Sequence, residues 1–179
     1  ERLQYSDKRT ADTNDPANDT PFYNVASGIA NTGTTENAPL PILNLGRVYV
    51  LASPGTCSAS EAVVNGLRGV GVEVILVGGT TCGKPYGFTA KDNCGISYFP
   101  IEFQGVNNKG FGDYADGFRP TTTCTVADDF SKALGDSTEG MLAAALSHRV
   151  TGSCGGTATG REGPQAAGGV SFGRVMRHP

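Results

Sequence analysis

Several hydroxyl groups and one thiol lie together in the segment SPGTCSASEAVVNGLRG, residues 53–69. Two roles are open for Ser58, the first serine of SASE. As a helix N-cap it would form a capping box with Glu61, in which each side chain accepts a hydrogen bond from the other residue's backbone N–H. As a nucleophile it would use a hydroxyl exposed at a helix start, where backbone N–H groups face a developing oxyanion. The nucleophilic role requires a general base close to Ser58, whereas the capping role does not.

The segment GGTTCGKP, residues 78–85, contains a lysine that is a candidate general base. Lys84 lies at the end of this Gly-rich loop. A lysine accepts a proton only when its amine is neutral, and burial in apolar surroundings favours the neutral amine. The alternative is a solvated lysine in a surface turn, and the loop by itself leaves both roles open.

The elements around these residues are predicted to bring them to one edge of a sheet. Residues 47–52 (RVYVLA) and 73–77 (EVILV) are β-branched runs that end in turn signals, which is typical of buried strands. Between them, apolar residues recur at three- and four-residue steps and glycines follow, which predicts a helix. Because two strands joined through a helix run parallel, the turns that follow both strands open at the carboxyl edge of the sheet. We therefore expect Ser58 and Lys84 at the same edge.

Further elements follow along the chain. Residues 95–103 (GISYFPIEF) are predicted to form one strand, with Pro100 at an edge or a bulge. Residues 105–118 are a loop rich in Gly, Asn and Asp, and residues 137–149 have the start signals and apolar face of a second helix. The predicted class is α/β, with three segments: a polar arm or loop over 1–45, a core over 46–150 and a Gly-rich tail over 151–179.

Length and charge limit the classes of function. A chain of 179 residues suits one domain, and a net charge of -3 offers no reason to expect nucleic acid or an acidic membrane surface as a partner. The sequence contains no apolar run of the roughly 20 residues that span a bilayer, nor the basic start and apolar middle of a signal peptide. Association with a membrane would therefore need an N-terminal anchor outside this sequence.

The five cysteines are spaced for disulfides rather than for metal. No two lie within four residues of each other, as a CxxC pair or paired zinc ligands would, so no metal or other cofactor is expected. Disulfides would place the protein in an oxidising, extracytoplasmic compartment. We expect Cys82 to pair with Cys94 and Cys124 with Cys154, which leaves Cys57 over.

Two other chemistries fit less well. GGTTCGKP nearly matches a phosphate-binding loop, but Pro85 stands where a hydroxyl would ligate magnesium, and no helix follows to hold a phosphate. Cys57 and His148 would form a Cys–His pair only if the second helix reached the same edge. Nucleotide binding and thiol catalysis are therefore not expected.

Taken together, RVYVLASPGTCSASEAVVNGLR and VEVILVGGTTCGKPYGF resemble the C-terminal processing peptidases, or tail-specific proteases. The resemblance covers about residues 46–150, including a weaker similarity in VADDF and LGD. It implies a Clp-protease/crotonase-like fold and a serine endopeptidase that cleaves proteins or peptides near their C-termini with a Ser/Lys dyad. By position, Ser58 rather than Ser60 is then the nucleophile, Lys84 is the base and the N–H of Ala59 is an oxyanion donor.

The sequence departs from this family's pattern in three places. The interval from Ser58 to Lys84 is about one residue longer, and Gly69 stands where many members have an acidic residue near the helix end, which implies a dyad rather than a triad. The family's catalytic domain also begins with a strand and a Gly-rich turn that residues 1–45 do not resemble, and its PDZ module is not visible. We therefore expect the second half of a catalytic domain, or alternatively an inactive, peptidase-like module that binds peptides.

Overall fold

The structure, a computed structural model, describes residues 2–6, 24–27 and 35–155. Neither of the two helices in these ranges is long and apolar enough to cross a membrane. The described chain has an α/β fold, and its elements in order are β1 (Arg2–Tyr5), β2 (Arg47–Ala52), α1 (Ala59–Gly69), β3 (Glu73–Gly78), β4 (Tyr86–Phe88), β5 (Lys91–Asn93), β6 (Ile96–Tyr98), β7 (Ile101–Val106) and α2 (Gly140–Thr151).

A parallel pair of strands joined by a helix confirms the predicted strand–helix–strand unit. β2 and β3 pair from Arg47 opposite Glu73 to Ala52 opposite Gly78, and α1 connects them. Because the strands run parallel, the turns that follow them lie at the same edge of the pair. These turns carry Ser58 and the GGTTCGKP loop.

The side chains of β3 alternate between two hydrophobic clusters. Val74 and Leu76 pack with Val64 of α1 in one cluster. Ile75 and Val77 pack with the inward face of α2 in the other. The alternation follows from the two-residue period of a strand, and the parallel pair is therefore a layer between two helices. A strand buried on both faces reads as a continuous apolar run, as EVILV does.

The single strand predicted over 95–103 is wrong. The segment is divided at Pro100 between β6, which forms a hairpin with β5, and β7, which is the centre of the antiparallel sheet β1–β7–β4. Proline has no N–H to donate to a ladder, so the two strands separate there. β1 pairs with β7 along its whole length, so the N-terminal arm contributes a strand to this sheet.

The second helix, predicted over 137–149, occupies Gly140–Thr151 instead. Its start is set by Glu139, whose carboxylate accepts two backbone N–H groups of the first turn at 3.0 and 2.8 Å. Just before it, Asp136 accepts both the N–H and the hydroxyl of Thr138 at 2.8 Å. This side-chain bonding competes with helix formation and delays the helix by three residues.

One of the two expected disulfides is confirmed. Cys124 pairs with Cys154, whereas the expected Cys82–Cys94 pair is wrong because Cys82 pairs with Cys57. Cys94 is a free, exposed thiol in the two-residue turn of the β5–β6 hairpin. Cys57 and Cys82 instead lie in the two turns that the parallel strands bring to one edge.

The polar arm predicted over 1–45 is described only in part, as residues 2–6, 24–27 and those from 35 onward. Its other residues lie outside the described ranges. The Gly-rich tail predicted over 151–179 is described as far as residue 155, and the Cys124–Cys154 disulfide ties this short part to the core.

Candidate active site

Ser58 occupies a strained turn between β2 and α1. Its backbone has φ 55° and ψ −111°, a conformation that residues other than glycine rarely adopt. Of the predicted capping box, the half made by Glu61 is formed, since its carboxylate accepts the N–H of Ser58 at 3.0 Å. N-cap residues ordinarily lie in the extended region, so capping does not require this conformation. A strain of about 1–3 kcal/mol is instead typical of positions under a functional constraint.

The loop that carries Lys84 is held by close backbone packing. We call residues 81–84 the lysine loop. Within it Gly83 has φ +79°, and a Cβ atom there would overlap the carbonyl oxygen of Ala115. On the facing segment Gly117 has φ +77°, and a Cβ atom there would overlap the carbonyl oxygen of Thr81. Both positions therefore require glycine, and the two backbone segments pack in direct contact.

Glu61 joins α1 to the lysine loop. Its side chain is fully buried, and one carboxylate oxygen accepts the Thr81 hydroxyl at 2.5 Å and the Gly83 N–H at 2.8 Å. The other oxygen accepts the N–H of Ser58 at 3.0 Å and that of Lys84 at 2.8 Å. Since an ionised carboxylate only accepts hydrogen bonds, these donors compensate its burial. The turn of Ser58 and the backbone of Lys84 are thus positioned by one side chain.

A covalent link and a backbone hydrogen bond also join the two turns. The Cys57–Cys82 disulfide connects the residue before Ser58 to the lysine loop. Next to it, the N–H of Cys82 donates to the carbonyl oxygen of Thr56 at 3.0 Å. The two turns are therefore in direct contact at the edge of the parallel pair.

The three predicted site residues line one cavity. Ser58, Ala59 and Lys84 all face a cavity of about 380 Å³. Lys84 is half-buried, and its Nζ lies 5.8 Å from the centroid of the Phe88 ring, within cation–π range. Ala59 is the first residue of α1, so its N–H has no acceptor within the helix and is available to an oxyanion.

The remaining walls of the cavity are largely apolar and come from several elements. β1, α1, β4, β7 and the loop after β7 each contribute, through Leu3, Ala62, Phe88, Phe103 and Tyr114. The volume and the apolar lining with a few polar groups are typical of ligand-binding cavities. The contribution of Leu3 shows that the N-terminal arm helps to shape the site.

No protein-family model and no curated protein matches the chain. Among solved structures, it is similar to a crystal structure from Bacteroides fragilis of a protein described provisionally as an S41 protease, with 28% identity and a TM-score of 0.50. The fold is peptidase-like. The similarity covers 60% of this chain and 28% of the other, so the chain spans less than a third of the length of the protein that it matches.

Two further observations concern an acidic residue and a metal ion at the site. Gly69 is buried at the place where many processing peptidases have an acidic residue, and a Cβ atom there would lie 2.7 Å from Cβ of Asn107 and 2.9 Å from the N of Asn108. This packing leaves no room for an acidic side chain. In the part of the chain that the structure describes, no group of His, Cys, Asp and Glu is arranged to hold a metal ion.

Sequence reasoning missed three features of the site. The capping-box pattern drew attention to Glu61 but not to its bonds with the lysine loop, nor to the hydroxyl of Thr81. The positive φ of Ser58 has no signal in the sequence. The Cys57–Cys82 pair does have a signal in the sequence. The crossover argument that brings the turns of Ser58 and Lys84 to one edge also brings together the cysteines in those turns.

Proposed function

We propose that this chain is the catalytic part of a serine peptidase in which Ser58 is the nucleophile and Lys84 the general base. The observation that carries the proposal is that a serine in a strained turn at a helix start shares one cavity with a half-buried lysine. Nucleophilic serines are mounted on sharp turns between a strand and a helix, where the hydroxyl is exposed. The similarity to a protease structure supports the same reading.

Acylation begins when Oγ of Ser58 attacks the scissile carbonyl carbon. The neutral amine of Lys84 takes the hydroxyl proton as the C–O bond forms, and the carbonyl π electrons move onto oxygen. The N–H of Ala59, at the start of α1, donates to this oxyanion and stabilises the tetrahedral intermediate. The intermediate collapses as the C–N bond breaks and the Lys84 ammonium protonates the leaving amine.

Deacylation repeats these steps with water as the nucleophile and Ser58 as the leaving group. Neutral Lys84 takes a proton from a water molecule as that water attacks the ester carbonyl carbon of acylated Ser58. The second intermediate releases Oγ of Ser58, which regains its proton from Lys84, and a carboxylic acid product leaves. Both half-reactions use the same hydroxyl, amine and N–H.

The proposed substrate is a protein or peptide cleaved near its C-terminus, as the resemblance to processing peptidases implies. Apolar walls from β1, β4 and β7 suit an apolar substrate side chain in the cavity. We propose an extracytoplasmic location, which the two disulfides of the described residues support, since disulfides persist in oxidising compartments.

The test is active-site labelling of the oxidised chain with a fluorophosphonate, followed by mapping of the modified residue by mass spectrometry. We expect label on Ser58 and none in Ser58→Ala, whereas Ser60→Ala labels normally because Ser60 does not line the cavity. Lys84→Ala should lower the labelling rate by roughly 10³-fold or more, on the scale of other catalytic bases. Lys91→Ala, on exposed β5, is the matched control.

Two outcomes would contradict the proposal in different ways. If the folded, oxidised chain takes no label at Ser58, the peptide-binding module is the better reading. If Ser58 is labelled equally fast in Lys84→Ala and in the parent chain, Lys84 is not the base.

A further inference from the structure

The two disulfides of the described chain differ in place and in exposure. Cys57 is half-buried and Cys82 exposed, and their bond joins the residue before Ser58 to a residue two positions before Lys84. Cys124 and Cys154 are buried, at 0% and 4% exposure, and belong to the cluster between β3 and α2. A thiolate must reach a sulfur atom to break a disulfide, so the exposed pair is the more accessible to a reductant.

We propose that the Cys57–Cys82 disulfide is a redox-modification site, and that forming this bond activates the peptidase. The proposal rests on the assignment of Ser58 and Lys84 as the dyad. A dithiol reductant attacks one sulfur of the pair, forms a mixed disulfide and then closes its own disulfide. The reductant loses two electrons, and Cys57 and Cys82 are released as two thiols. In the activating direction, one of these thiolates attacks a small-molecule disulfide, the other thiolate resolves the mixed disulfide to form Cys57–Cys82, and the small molecule takes up the two electrons and leaves as two thiols.

Reduction alters the spacing on which the dyad depends. Bonded sulfur atoms lie about 2.0 Å apart, whereas non-bonded heavy atoms need roughly 3.5–4.0 Å. The side chains or backbones of the two turns must therefore move apart, next to Ser58 on one side and Lys84 on the other. A misplacement of about 1 Å can lower a catalysed rate by about 10²-fold.

The other contacts between the two turns keep the chain folded after reduction, so that only the alignment of Ser58 with Lys84 changes. Glu61 accepts hydrogen bonds from both turns independently of the disulfide, and Cys124–Cys154 is buried, so we expect both to persist when Cys57–Cys82 is open. The reduced chain is thus folded but misaligned. The peptidase is inactive wherever thiols are kept reduced and becomes active in an oxidising compartment.

The experiment follows thiol exposure and active-site labelling together in the full chain, in a Cys94→Ser background that removes the free thiol. Increasing dithiothreitol is added, newly formed thiols are alkylated and mapped by mass spectrometry, and fluorophosphonate labelling of Ser58 is measured in parallel. We expect Cys57 and Cys82 to be reduced first and labelling to fall by about tenfold or more with them. Near-ultraviolet circular dichroism should be largely retained, and reoxidation should restore labelling.

Two variants act as matched controls. In Cys57→Ala/Cys82→Ala, labelling should be low from the start and insensitive to dithiothreitol. In Cys124→Ala/Cys154→Ala, labelling of Ser58 should remain sensitive to dithiothreitol. If this variant fails to fold, the order in which the two disulfides of the parent chain are reduced provides the test.

The outcomes separate this inference from the proposed function. Labelling of Ser58 that is unchanged after Cys57–Cys82 is open overturns the redox site and leaves the dyad standing. Reduction of Cys124–Cys154 before Cys57–Cys82 overturns the accessibility argument. Absence of label in the fully oxidised chain overturns the dyad, and the redox activation with it.

Discussion

The Glu61 carboxylate accepts the backbone N–H of Lys84 at 2.8 Å, across a separation of 23 residues in the chain. The same oxygen accepts the N–H of Ser58 at 3.0 Å. Glu61 is the third residue of α1, so the helix start and the lysine loop share one buried acceptor. The alignment of the proposed dyad therefore depends on a residue that does not itself line the cavity.

Replacement of Glu61 should lower both stability and the labelling rate of Ser58. In Glu61→Gln one oxygen becomes an amide that cannot accept, and the free energy of unfolding should fall by about 1–3 kcal/mol. Glu61→Ala removes both acceptors and should cost more. Urea unfolding measures this. The control is Glu73→Gln, which removes a charge from the exposed Arg47–Glu73 ion pair and should change the free energy of unfolding by no more than about 0.5 kcal/mol. An equal loss of stability in Glu61→Gln and Glu73→Gln would contradict the structure.

Thr81→Val should destabilise the lysine loop. The Thr81 hydroxyl donates to Glu61 at 2.5 Å and accepts the N–H of Phe118 at 2.7 Å, and it is buried. Valine has a similar shape but leaves both partners unsatisfied, at a cost of about 1–3 kcal/mol in unfolding free energy. Thr80→Val at the exposed neighbouring position is the control. A loss of stability no larger than that of the control would argue against the Thr81 contacts.

Ser58→Gly should be more stable than Ser58→Ala by about 1 kcal/mol or more. Alanine keeps the strain of φ 55°, whereas glycine adopts positive φ freely and is a tolerable N-cap. Both variants should lack labelling. Thermal unfolding measures the difference. As a control, Ser60→Gly inside α1 should instead lower stability by roughly 0.5–1 kcal/mol, and the same loss in Ser58→Gly would show that Ser58 is unstrained.

Gly83→Ala should be far more disruptive than Gly110→Ala. Both glycines have a similar positive φ, +79° and +80°, but a Cβ atom at Gly83 would overlap the Ala115 carbonyl, whereas nothing lies within 4 Å of one at Gly110. Gly110→Ala should therefore cost only the conformational term, about 1–2 kcal/mol. Gly83→Ala should cost more in unfolding free energy and also slow the labelling of Ser58, because Lys84 is its neighbour. Similar values for the two variants would contradict the packing of the lysine loop.

Local patterns predicted the elements that carry the site more reliably than the elements around it. β2, α1 and β3 follow from two β-branched runs and one helical period, because each is long enough for its period to be read. The apolar pattern of residues 95–103 continues through Pro100 and so predicts one strand, whereas the two halves of the segment pair in different sheets. The start of α2 depended on competing side-chain bonds at Asp136 and Glu139, which periodicity does not register.

The amino-acid sequence by itself determined that Ser58 and Lys84 follow parallel strands, because a strand–helix–strand crossover has one favoured hand and one carboxyl edge. Only the tertiary structure decided the positive φ of Ser58, the bonds of Glu61 to the lysine loop, the Cys57–Cys82 pair and the wall formed by β1. Each of these depends on which distant backbone donors, sulfur atoms and side chains come within reach. That is settled by packing between elements and not by the residues of any one segment.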